Sequence, residues 1–164
     1  MNDDAKTYFP KNKALAEKGD VEAQFNLGKI YGIGWIGVTK DYKQAIYWFE
    51  KAAQQGHAKA QSYLGRLYFC TVDFKKNCEQ AFYWFEKAAA QGDAEAQFNL
   101  GLMYFKGQGV KKNCEQAIYW TKKAGTQGHV DARHNLDEMY RTMPLAAKLA
   151  LALKFGLKSS LEKS

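Results

Sequence analysis

The chain has 164 residues, 46% hydrophobic and 25% charged, with 24 basic and 17 acidic side chains and a net charge of +7. That balance is ordinary for one globular domain and excludes a collagenous or low-complexity chain. The start, Met1-Asn2-Asp3-Asp4, has no apolar signal-peptide core, no run approaches the ~20 apolar residues of a membrane span, and three cysteines cannot close a disulfide framework, so a cytoplasmic protein is expected.

In chain order, residues 10–19 read as a partial helix, its clearest stretch Lys11–Lys18, ending at Gly19. Asp20 then suits the N-cap of the segment Ala23–Tyr31. Ala23, Leu27 and Tyr31 fall at i, i+4 and i+8 and share one helical face. Gly28 lies beside that stripe. Because a helical glycine costs about 1 kcal/mol against alanine, it suggests the close approach of another helix backbone.

After the loop Gly32–Gly37, Asp41 caps a second helix, Tyr42–Ala53. Ala45, Trp48, Phe49 and Ala52 follow the i, i+3, i+4, i+7 spacing of a core-facing stripe. Gln44, three residues after Asp41, completes a capping-box pattern. Gly56 ends the helix where a left-handed residue is needed.

The same pair of segments then recurs. Trp48, Trp84 and Trp120 stand 36 apart, as do Gly56, Gly92 and Gly128. Ala23, Ala60, Ala96 and Ala132 step by 37, 36 and 36, and so do Leu27, Leu64, Leu100 and Leu136. Asn77 with Gln80 and Asn113 with Gln116 repeat the capping pattern, and Gly65 and Gly101 repeat Gly28. His57 and His129 replace aspartate at two of the four first-helix caps and are poorer caps. The middle loop, Cys70-Thr71-Val72-Asp73-Phe74, departs from the glycine-rich form of the others.

Residues 129–142 read as a final first helix, with Asp137 in the glycine position. Pro144 then opens a helix over 143–158, with Leu145, Leu149, Leu153 and Leu157 at i+4 spacing. That leucine stripe is expected to cover the open edge of the core. A membrane-surface role is the lesser alternative. The five basic and one acidic residues of Arg141–Ser164 read as a solvated face rather than a nucleic-acid site.

The pattern Ala94-x-Ala96-Gln97-x-x-Leu100-Gly101-x-x-Tyr104, the loop Gly107-Gln108-Gly109-Val110 and the ending Tyr47–Gly56 resemble the Sel1-like repeat, a relative of the tetratricopeptide repeat. The resemblance covers about residues 10–142. It implies an all-α, right-handed α-solenoid of about three and a half antiparallel helix pairs with a C-terminal capping helix. The 1–164 chain then reads as one domain, with repeats at about 20–56, 57–92 and 93–128. First helices would line the concave side and second helices the convex side.

Little in the chain points to catalysis. His129 and His134 are five apart, not the i, i+4 step of a shared metal on a helix. Cys78 and Cys114 sit at matching helix starts, where a thiol pKa can fall, although a small apolar filler explains them too. Cys70 and Cys78 flank one loop and could pair. Ser160-Leu161-Glu162-Lys163 matches Ser-x-x-Lys, but in a terminal tail. No cofactor and no metal are expected, and the chain is read as a non-enzyme. A cell-wall or β-lactam hydrolase is an alternative suggested only by distant relatives of the repeat.

Stacked helix pairs leave an extended groove for a protein or peptide. With Ala23, Leu27 and Tyr31 committed inward, the candidates for that face are Phe25, Asn26 and Lys29. Their copies are Ser62, Tyr63 and Arg66, then Phe98, Asn99 and Leu102, then His134, Asn135 and Glu138. The asparagine amides could meet a peptide backbone, the cations a carboxylate, and the phenylalanines could serve as apolar anchors. The asparagines suit hydrogen bonds within the solenoid equally well. A protein-interaction adaptor is the leading reading, and an immunity or antitoxin-like protein that masks a toxin is a narrower form of it. Nucleic acid and membrane surface are lesser partners, and the oligomeric state stays open.

Overall fold

The computed structural model describes residues 3–35, 37–69 and 74–155, and every regular element among them is an α-helix. The helices are α1 (Asp3–Glu17), α2 (Val21–Ile33), α3 (Tyr42–Gln54), α4 (Ala58–Phe69), α5 (Phe74–Ala90), α6 (Ala94–Lys106), α7 (Cys114–Thr126), α8 (Val130–Thr142) and α9 (Leu145–Phe155). Each of α1 to α7 packs on the helix that follows it. The α2–α3, α4–α5 and α6–α7 hairpins are the tightest pairs, and α2, α4 and α6 also touch in a row. This is the α-solenoid expected from the repeat.

The hairpins form where their caps dictate. Asp20 and Asp93 accept the N–H of Ala23 and Ala96 at 2.7 and 2.8 Å. At the other end of each second helix the chain closes in a Schellman turn. Gly56 (φ 89°) sends its N–H to Ala53 O, and His57 sends its own to Ala52 O. Gly19, Gly92 and Gly128 repeat this with φ of 94, 96 and 85°. A β-carbon there would be strained, so these glycines fix the solenoid's turns.

The capping boxes are only half formed. Asp41 accepts from Lys43 N and Gln44 N, and Asn113 from Gln116 N. The cap residues' own N–H groups go to Tyr31 O and Tyr104 O at 2.9 Å, where a box would use the glutamine side chain. The cap thereby ties the second helix to the end of the first. In the middle hairpin, α5 begins a turn early at Phe74, so Asn77 lies inside the helix. The first helix also starts earlier than expected, at Asp3, and carries Pro10 within it.

The core is a chain of small clusters, several of which join one hairpin to the next. Ala45, Phe49 and Ala52 are buried against Ala60 and Leu64, with Trp84 reaching back from the next hairpin. Trp48 reaches back in the same way onto Ala16, Ala23 and Leu27. Each buried aromatic contributes roughly 1.5–3 kcal/mol. The small helix residues make room for rings more than for backbone. A β-carbon on Gly28 would fall 2.5–2.8 Å from Phe49 ring atoms, and one on Gly65 2.8–3.1 Å from Phe85. At Gly101, where Thr121 replaces the ring, the Thr121 hydroxyl and Ala117 O at 3.0 Å take its place.

The end of the solenoid departs from expectation. On α9 the leucine stripe faces outward, with Leu145, Leu149 and Leu153 at 63, 47 and 86% exposure. The helix covers the core through Leu151, which packs with Ile118 of α7 and Met143. The helix buries one narrow line, chiefly against α7, so the i+4 row is left outside. Leu157, the Ser160–Lys163 motif, and Cys70 with its proposed bridge to Cys78 lie outside the described residues.

Candidate binding face on the first helices

A buried glutamine in each of α2, α4 and α6 locks one hairpin to the previous one. Gln24, Gln61 and Gln97 are at most 4% exposed and donate to Ala16 O, Ala53 O and Ala89 O at 3.0–3.1 Å. Each also accepts at 2.8 Å from the glutamine ending its partner helix, Gln55, Gln91 and Gln127. A buried amide left unbonded would cost about 1–3 kcal/mol, so this ladder specifies the stacking. Its members recur at the same steps as the alanines and leucines. That recurrence was the signal available in the sequence. In the last unit Arg133 takes the position, and the ladder stops.

A second recurring contact uses the histidines. His57 stacks on Phe25 with ring centroids 4.5 Å apart, and His129 stacks on Phe98 at 4.3 Å. His57 Nδ1 accepts the Ala60 N–H at 3.1 Å, so its proton sits on Nε2 and points to Glu22 Oε2, also at 3.1 Å. His57 is therefore a working cap. His129 makes the matching contact to Glu95 at 3.2 Å but caps nothing, and its Nδ1 is buried without a partner among the described residues.

These contacts decide which candidate residues remain open. Phe25 and Phe98 are 6 and 9% exposed, and Ser62 is buried. The two rings are spent on the histidines and cannot serve as exposed anchors, because the next hairpin sits on top of them. Asn99 and Asn135 each donate to a carbonyl one turn back, Glu95 O and Asp131 O. Glu138 holds Arg141. Asn26 and Leu102 are half-buried, and His134 is exposed on α8.

Lys29, Tyr63 and Arg66 are exposed and lie together. They line a cavity of about 400 Å³ between α2, α3 and α4, with Gly32 and Ile33, Tyr42, Ile46 and Phe49, and Leu67 completing its wall. Chain position alone did not reveal Ile33, Tyr42 and Ile46 as part of it. Lys29 Nζ stands 5.5 Å over the Phe25 ring, and Arg66 Cζ stands 5.7 Å over Tyr63. An adjoining hollow shares Lys29, Tyr63 and Arg66 and adds Lys59, Asp93 and Glu95. The two carboxylates there are already engaged, Asp93 by Ala96 N and Glu95 by His129 and Asn99.

The titratable groups with displaced pKa values are structural. Burial, with a 2.7 Å hydrogen bond to Glu50 Oε1, pushes the Tyr68 phenol up to about 12. Burial, then Glu86, raises Tyr104. Burial also raises the Cys78 thiol, the opposite of a helix-start activation, because α5 begins one turn before it. Among the described residues no three His, Cys, Asp or Glu side chains come together to hold a metal, and no helix is long and apolar enough to cross a membrane.

The model of the Sel1 repeat matches residues 21–57, 58–93 and 94–129. A Sel1 repeat protein from Oxalobacter formigenes has a similar structure, with a TM-score of 0.68 at 38% identity, over 78% of this chain and 96% of that one. A protective antigen present in uropathogenic Escherichia coli strains, displaying an SLR fold, gives a TM-score of 0.77 at 42% identity, over 80% of this chain and 28% of that one. An ERAD-associated E3 ubiquitin-protein ligase component, HRD3A of Arabidopsis thaliana, is 34% identical over 53 residues. That match spans 32% of this chain and only 8% of the plant protein.

Proposed function

We propose that this chain, which belongs to the Sel1 repeat family, binds a partner protein on the open side of its first helices, around Lys29, Tyr63 and Arg66. Sel1 repeats are in general protein-interaction modules, a scaffold and typically not an enzyme. The observation that supports this site is the cavity. It is built by two successive hairpins, and its rim carries the exposed residues of the first-helix face. Three of the other candidate positions, Phe25, Ser62 and Phe98, are buried within the solenoid. The name of the plant relative, a ligase component, is consistent with a role inside an assembly.

The test is binding of a captured and purified partner to the immobilised chain. Tyr63→Ala with Arg66→Ala should weaken it about tenfold, the loss of one well-placed anchor. Tyr83→Ala with Tyr119→Ala, on the second helices, should leave it unchanged. The reverse pattern would move the site to the other side of the solenoid.

A further inference from the structure

We propose that the cavity between α2, α3 and α4 anchors an acidic segment of the partner, taking a bulky apolar side chain against Ile33, Tyr42 and Ile46 and pairing its carboxylate with Lys29 and Arg66. This rests on the interaction reading above and names the chemistry of what is bound.

The cavity exists because of one residue. Gly32 leaves α2 without a side chain where the next two first helices carry Phe69 and Phe105. Phe69 packs onto the cluster of Cys78 and Ala81. At the matching place in the first hairpin only the Ala45 methyl comes within 4 Å of a β-carbon on Gly32, at 3.8 Å. The wall this exposes is apolar and unusually open, with Ile33 at 68%, Tyr42 at 52% and Tyr63 at 39%.

Its rim is cationic, and the two carboxylates of the adjoining hollow, Asp93 and Glu95, are bonded to Ala96 N, Asn99 and His129. Among the described residues, neither Lys29 nor Arg66 has a carboxylate within ion-pair distance. Lys40 stands 4.6 Å over the Tyr42 ring as a third cation. Asp41 is close in sequence, but its carboxylate accepts the N–H groups of Lys43 and Gln44. In the later units, the positions of Lys29 and Arg66 hold Leu102 and Glu138. The cationic rim is therefore local to this cavity. A nucleic-acid track would need a row of cations continuing along the solenoid, and these substitutions interrupt it. A short acidic peptide with an apolar anchor needs only the one pocket and its rim.

The experiment is selection of a random-peptide display library on the whole chain, followed by fluorescence polarisation with the selected peptides. Expected are peptides with Leu, Ile or Phe within two positions of Asp or Glu, whose binding weakens with added salt. Gly32→Phe, which copies the side chain of the later repeats, should reduce their affinity about tenfold or more, and so should Lys29→Glu with Arg66→Glu. Lysine in place of the peptide's acid should restore binding to the charge-reversed variant, which damage to folding would not allow. Selected peptides indifferent to Gly32→Phe would overturn this cavity as the site while leaving the interaction module standing. Failure to select any peptide, with the anionic dye 1-anilinonaphthalene-8-sulfonate bound at the cavity, would overturn the peptide in favour of a small apolar anion. Failure of both would remove the cavity as a binding site.

Discussion

Gln55 donates its side-chain amide to Gln24 Oε1 at 2.8 Å, 31 residues earlier in the chain. The same amide reaches Gly19 O at 3.2 Å, so one side chain bonds both the first helix of its own unit and the turn that precedes that unit. Repeated at Gln91–Gln61 and Gln127–Gln97, this contact makes the stacking specific where methyl packing alone would permit sliding.

Replacing Gln97 by leucine tests that ladder. Ala89 O and the Gln127 amide would each lose one hydrogen bond, keeping those to Gly92 N–H and Gly92 O, and stability should fall by about 2 kcal/mol. Gln127→Ala, at an exposed position, should cost about half as much. Urea unfolding of both variants makes the comparison, and equal small losses would show that the ladder adds nothing to stacking.

Gly28→Ala should destabilise although alanine is the better helix former. The gain of about 1 kcal/mol in propensity is outweighed by the overlap with the Phe49 ring, about 1–3 kcal/mol. In a Phe49→Leu background the same change should cost less, and a double-mutant cycle on thermal unfolding reads the coupling. Additive effects would mean that the ring does not set the glycine requirement.

Tyr68 should be among the last tyrosines to ionise. Its phenol lies above the ordinary value of 10, near 12, so its folded environment favours the neutral form. The stability it contributes is whole below pH 10 and is lost between about 10 and 12, as the unfolded chain ionises first. A phenolate absorbance titration of Tyr68→Phe against the parent should lose the high-pH limb, and Glu50→Gln should move that limb down.

Cys78 should resist thiol labelling in the native protein. It is 2% exposed and its thiolate is disfavoured by burial. Cys114, half-buried at the start of α7, should label first. Peptide mass spectrometry after timed alkylation separates the two. Labelling of Cys78 at the rate of Cys114 would show that α5 frays back to an Asn77 cap.

Much of the architecture was readable from recurrence. Alanines, leucines and tryptophans return every 36 or 37 residues because each hairpin must bury the same face against the next. What escaped depended on a neighbour that spacing does not locate. Phe25 and Phe98 lie off the alanine–leucine–tyrosine stripe of their own helices, yet both are buried, each under the histidine that begins the following unit. The leucine row of α9 looks like a core stripe, yet α9 leans on α7 by Leu151. The cavity followed from a missing side chain at Gly32, a difference between repeats inside an otherwise regular pattern. Lys29, Tyr63 and Arg66 were legible as candidates because they follow the first-helix stripe. Ile33, Tyr42 and Ile46 were not, because the last residue of α2 and the outer face of the second helix meet at the same place.

The most direct measurement is site-specific photocrosslinking to the purified partner, with p-benzoylphenylalanine placed at Tyr63 on α4 or at Tyr119 on α7. Both side chains are similarly exposed, at 39 and 44%, so accessibility does not bias the comparison. Crosslinking from position 63, blocked by Gly32→Phe and absent from position 119, is the expected result. Crosslinking from position 119 alone would contradict partner binding on the first-helix face.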